Sequence, residues 1–146
     1  MMNILVVTNM YPSEGDVSWR GAFVKEQVDE CQKLAQNQAM DKTFVDVFHI
    51  KARVCGGRNF NYVTSFFKLF VKNLLGRYQL IHCHHAFCVF VCALFSRKII
   101  YTVHEGELNN ANTSPLIKLA IKLSASVIYV NKKAFDNSVK SKKYFL

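Results

Sequence analysis

Short apolar runs alternate with stretches of helical periodicity along the whole of this chain, and few folds accommodate that alternation. The first run, Asn3-Ile-Leu-Val-Val-Thr8, is apolar and β-branched without a polar face, as a strand buried on both sides must be. Val24, Val28, Cys31 and Ala35 then repeat at helical spacing, which predicts a helix over 22–37. Phe44-Val-Asp-Val-Phe48 reads as a second strand, and residues 51–60, with Gly56-Gly57, as irregular. Val63, Phe66, Phe67, Phe70 and Leu74 predict a helix over 61–75 with its phenylalanines inward and Lys68 and Lys72 outward. Leu80–Cys83, Lys98–Val103 and Ser126–Val130 give three more strands. Between them lie a helix at Ala86–Phe95 that is apolar on every side and another at 115–124; a basic, helical tail is expected to end the chain.

Strand and helix in strict alternation predict an α/β fold, a Rossmann-like doubly wound parallel sheet of about five strands. Right-handed crossovers put helices on both faces. With 51% apolar and 20% charged residues, no repeat and no linker, the 146 residues read as a single domain. At that length a chain buries about two-thirds of its unfolded surface.

The composition narrows the function classes. The longest apolar stretch, Ala86 to Phe95, is half of the ~20 residues a membrane-spanning helix needs. No basic segment leads into an apolar run at the N-terminus, so a cytoplasmic location is expected. Five cysteines with no Cys-x-x-Cys pair read as buried, reduced thiols. The formal charge of +9 favours anionic partners. The lysines are dispersed and carry no recognition motif, so nucleic acid is not among the partners expected. The phenylalanine–lysine helix at 61–75 weakly resembles an element lying on an anionic membrane surface, although most such helices pack on their own sheet.

Ligands of such sheets sit beyond the carboxyl ends of the strands, where the winding reverses. That rule selects the loop after the first strand (Asn9–Arg20, then Gly21), the segment His82–His85 and the loop His104–Asn110. Arg20 and the first helix's amides could face an anion. His82 and His84 share one strand face while Cys83 points to the other, so the cluster cannot converge on one ion. His84 and His85 are candidates for ligand contact. His104 projects at the crevice mouth, where an imidazole can hydrogen-bond a hydroxyl or carry a proton, with Glu105 and Glu107 beside it. No Gly-x-Gly-x-x-Gly or Walker-type lysine motif follows the first strand, so no cofactor is expected. A small metal-dependent hydrolase built on His82, His84, His104 and Glu107 is one alternative, and a non-catalytic module holding a glycan, a phosphometabolite or a partner protein is another.

In order along the chain, Asn3-Ile-Leu-Val-Val-Thr-Asn-Met-Tyr-Pro12, Arg20-Gly-Ala-Phe-Val-Lys-Glu-Gln27, Leu80-Ile-His-Cys-His-His-Ala-Phe87, Tyr101-Thr-Val-His-Glu-Gly-Glu107 and Val127-Ile-Tyr-Val-Asn131 resemble the N-terminal domain of a GT-B-fold glycosyltransferase of family 4. The resemblance covers nearly the whole chain. It implies a retaining sugar transfer between two Rossmann-like domains, with this one on the side of a glycan or lipid-linked acceptor. The nucleotide-sugar donor belongs to a C-terminal domain, and no metal is generally required. By the same resemblance Arg20 and Gly21 belong to the acceptor-side loop, His84 ends a central strand, and His104 is the catalytic histidine near the transferred sugar. Many members follow that histidine with Gly and a small or acidic residue, whereas Glu105-Gly106-Glu107 follows it here. A chain ending at Leu146 would lack the donor half, so transfer by the domain alone is not expected. Peripheral attachment to the inner face of the cell membrane is expected for such an enzyme.

Overall fold

Five parallel strands run in the order β2-β1-β3-β4-β5, in a computed structural model that describes residues 2–12, 21–37, 43–51, 58–104 and 115–130. The strands are β1 (Met2–Thr8), β2 (Thr43–His49), β3 (Leu80–Cys83), β4 (Ile99–Val103) and β5 (Ser126–Tyr129). The helices are α1 (Ala22–Asn37), α2 (Arg58–Gly76), α3 (Ala86–Ala93) and α4 (Pro115–Leu123). The parallel α/β class read from the sequence is the fold that forms. The basic tail lies outside the described residues.

Alternation along β1 divides the core. Leu5 and Val7 join Ile81, Cys83, Ile99, Tyr101 and Val103 beneath α2, α3 and α4, whose Leu69, Val89 and Ile121 complete the larger cluster. Val6 faces the other way and packs with Val28 of α1 and Val45 of β2. Helices therefore cover both faces, α1 on one and the other three on the opposite one. α3 packs between α2 and α4, which explains a helix without a polar stripe: Ala86, Cys88, Val89, Val91 and Cys92 are all buried. It ends at Ala93 rather than Phe95, and Leu94 beyond it is exposed.

Four expectations need correction. α2 begins at Arg58, inside the segment read as irregular. Its inward face is Tyr62, Ser65, Phe66 and Leu69, while Val63, Phe67, Phe70 and Leu74 point to solvent. The helix is apolar nearly all round, so periodicity alone allowed two stripes. Lys72 was a false mark of the outer face, because its ammonium lies 2.6 Å from Asp46 of β2. Burial pushes the Asp46 carboxyl up, but Lys72 and the Tyr78 hydroxyl, which donates to it at 2.6 Å, outweigh that and hold it below the ordinary carboxylate range. On α1, Cys31 is exposed, and Gln32 turns inward instead to donate to the Val45 carbonyl at 3.1 Å. Cys83, Cys88 and Cys92 are buried as expected, and Cys55 lies outside the described residues.

Candidate functional site

The chain crosses from β2 at one edge back over β1 to β3, so the winding reverses between β1 and β3. Two helices begin beside that point. Gly21 starts α1, its carbonyl accepting from the amides of Val24 and Lys25 at 3.1 Å each. It adopts φ +73°, and a Cβ there would lie 2.3 Å from the Met10 carbonyl oxygen, so only glycine lets the helix start close against the exit of β1. That exit is turned by Thr8, whose hydroxyl accepts from the Met10 amide at 2.9 Å. Asn9 donates from its side-chain amide to the Tyr62 hydroxyl at 3.0 Å, fastening the loop to α2.

His85 caps the second helix, α3, with its Nδ1 accepting from the Phe87 amide at 3.2 Å and its ring stacked on that of Phe87. The residue read as a ligand contact thus has a structural duty at the helix start.

The histidines of β3 and β4 form one column. The His84 amide donates to the Val7 carbonyl at 3.1 Å, continuing the β1–β3 ladder one residue past the strand and fixing His84 at the floor of the crevice. Its ring lies 4.4 Å from that of His82 and 5.6 Å from that of His104, the latter pair nearly parallel at 17°. His82 and His84 share a face, as their spacing predicts. His82 Nε2 is hydrogen-bonded to the Thr102 hydroxyl at 2.7 Å, and His84 Nδ1 meets His104 Nε2 at 3.4 Å. His104 is half-buried and rests on Phe23 of α1, with ring centres 4.7 Å apart. The sequence does not single out Thr102 or Phe23 as site residues; the β3–β4 pairing and the docking of α1 bring them in.

His84 is completely buried, and its Nε2 has no hydrogen-bond partner. Burial, reinforced by His82 and then His104, drives its pKa down to about 2. Burial, with a smaller repulsion from His104, lowers His82 to about 4. Both imidazoles are neutral at physiological pH, so each can donate one hydrogen bond and accept another. Among the described residues no group of three His, Cys, Asp or Glu side chains is placed to hold a metal ion. Of the other expected site residues, Arg20, Glu105 and Glu107 lie outside the described residues. Among the described residues, too, no helix is long and apolar enough to cross a membrane.

No protein-family model, curated protein or solved structure matches this chain.

Proposed function

We propose that this domain is the acceptor-binding half of a glycosyltransferase, receiving a glycan or lipid-linked acceptor in the crevice between β1 and β3. The observation that carries the reading is the column of His82, His84 and His104 at the winding reversal, its two inner imidazoles neutral and its outer one bordered by Phe23. Sugars present hydroxyls that both donate and accept, and apolar C–H faces that rest on aromatic rings. A neutral imidazole beside a phenyl ring offers both kinds of contact. A phosphorylated metabolite is a poorer match, because His82 and His84 supply no positive charge.

His104, at the rim, is the residue assigned to the transferred sugar, and His84 holds it through the shared hydrogen bond. Gly21 sets the start of α1, and Arg20, Glu105 and Glu107 complete the acceptor side. The nucleotide-sugar donor is assigned to a second domain facing this crevice, within a longer chain or on a partner. The working place of such an enzyme is the cytoplasm, at the inner face of the membrane that carries its acceptor.

The reading is tested by binding the labelled domain to an array of oligosaccharides and lipid-linked saccharides, with nucleotide sugars as competitors. Binding to a restricted set of glycans is expected, weakened at least tenfold, or about 1.4 kcal/mol, by His104→Ala. Nucleotide sugars should not compete. Tight nucleotide-sugar binding with no glycan retained would instead make this a donor-side domain and overturn the assignment.

A further inference from the structure

The layer formed by α2, α3 and α4 leaves an apolar outer surface. On α2, Val63, Phe67, Phe70, Val71, Leu74 and Leu75 are exposed along one side of the helix, Phe67 at 63% and Leu75 at 77%. Phe66, Phe67, Phe70 and Phe95 form a cluster of ring contacts between 5.2 and 6.2 Å that carries this surface toward α3. α4 repeats the pattern, with Leu116, Leu119 and Leu123 exposed and Lys118 and Lys122 beside them.

The charges are divided between the two faces of the sheet. From Val47 to His104 the sequence contains no Asp or Glu, and neither does α4. The described acids are Glu26, Asp29 and Glu30, all on α1, and Asp46, which is taken up beneath α2 by Lys72 and Tyr78. Among the described residues the outer face therefore presents Lys68, Lys118 and Lys122, all exposed, and its nearest carboxylate, Asp46, is already held by Lys72 and Tyr78. Beside α2 an open groove of about 730 Å³ has walls of Phe67, Val71 and Leu75, with Lys68 among its lining residues.

We infer that this face is a docking surface for an anionic lipid bilayer, α2 lying along the membrane plane with its phenylalanines and leucines among the acyl chains. Apolar side chains bordered by lysines, with no unpaired acid among the described residues of the face, match the boundary between lipid tails and negative headgroups. The groove adds a place where Phe67, Val71 and Leu75 meet an acyl chain while Lys68 meets its phosphate. Charge decides against a second copy of this chain as the occupant, since two such faces would bring lysine against lysine with no carboxylate to pair them. The inference stands on this face alone and does not depend on what the crevice binds.

Co-sedimentation of the 146-residue chain with phosphatidylcholine vesicles, with and without phosphatidylglycerol, tests it. Binding is expected only to the anionic vesicles and should be lost at about 0.5 M salt, where surface charges are screened. Phe67→Ser combined with Leu74→Ser should lower the affinity at least tenfold, and Lys68→Glu by roughly fivefold or more. Leu34→Ser, at an equally exposed apolar position on α1, should leave binding unchanged. Circular dichroism confirms that each variant is folded, as expected for solvent-facing sites. Failure to bind, equal binding to neutral vesicles, or full binding by the Phe67/Leu74 variant overturns the proposal. Self-association abolished by that same variant, with vesicles left unbound, also overturns it and assigns the face to a second copy.

Discussion

Acidification from pH 7 to pH 4 is expected to remove a large part of this domain's stability, with the loss beginning above the range in which ordinary carboxylates protonate. The cause is the pair of buried neutral imidazoles. His82 and His84 have folded-state pKa values of about 4 and about 2, against about 6.5 for histidine in an unfolded chain. Between pH 6.5 and 4 the unfolded state binds protons that the folded state refuses, so stability rises with pH there and is complete above it. Each refused proton is worth about 1.4 kcal/mol per pH unit. Two of them give a slope of up to about 2.7 kcal/mol per unit, on the order of 5 kcal/mol over the window. A domain of this kind is stable by only about 5–15 kcal/mol. Asp46, held below the ordinary carboxylate range, acts in the same direction at still lower pH. Urea midpoints at pH 7, 6 and 5 measure the slope, and His82→Asn should roughly halve it. A flat profile over that range would contradict the buried neutral column.

The second large effect is expected at Gly21. Gly21→Ala places a methyl group on a left-handed backbone, which costs roughly 1–2 kcal/mol. It also places that methyl 2.3 Å from the Met10 carbonyl oxygen and 2.7 Å from its carbon. Backbone atoms cannot rotate aside, so overpacking adds roughly 1–3 kcal/mol. A total of about 3 kcal/mol corresponds to a melting temperature lower by roughly 10 °C. Gly76→Ala is the matched control. The atoms nearest its added methyl belong to the Tyr78 side chain rather than to backbone, and Gly76 has no left-handed backbone, so the loss should be smaller. Equal melting temperatures for the Gly21 variant and the parent would refute the geometry of the α1 start. Because Phe23 follows two residues later and supports His104, a displaced α1 should weaken the crevice as well.

Strands and helices were legible because parallel strands, covered on both faces, write themselves as unbroken apolar runs. The place of the crevice followed from the same order, since the winding rule needs only the strand sequence and its sense. What stayed hidden was set by distant partners. Lys72 reads as a solvent-facing mark until Asp46, on another strand, is seen to hold it. Gln32 and Cys31 are adjacent on α1, and the Val45 carbonyl on another element, which accepts from the Gln32 amide, selects which turns inward. The histidine column was half legible. His82 and His84 share a face by spacing alone, whereas His104 joins them through the pairing of β3 with β4. The capping duty of His85 depends on where α3 begins, the kind of detail on which periodicity is least informative.

The central claim, that a histidine column bordered by an aromatic ring receives a hydroxyl-rich ligand, is tested most directly by nuclear magnetic resonance of the histidine rings. The domain, labelled with ¹⁵N in histidine, is titrated with the saccharides that the array retains. Ring signals of His104 and His84 should move in proportion to occupancy, those of His82 least, and none should respond to a nucleotide sugar. Ring signals that stay fixed while saccharide binds elsewhere, or that move only with the nucleotide sugar, would contradict the account.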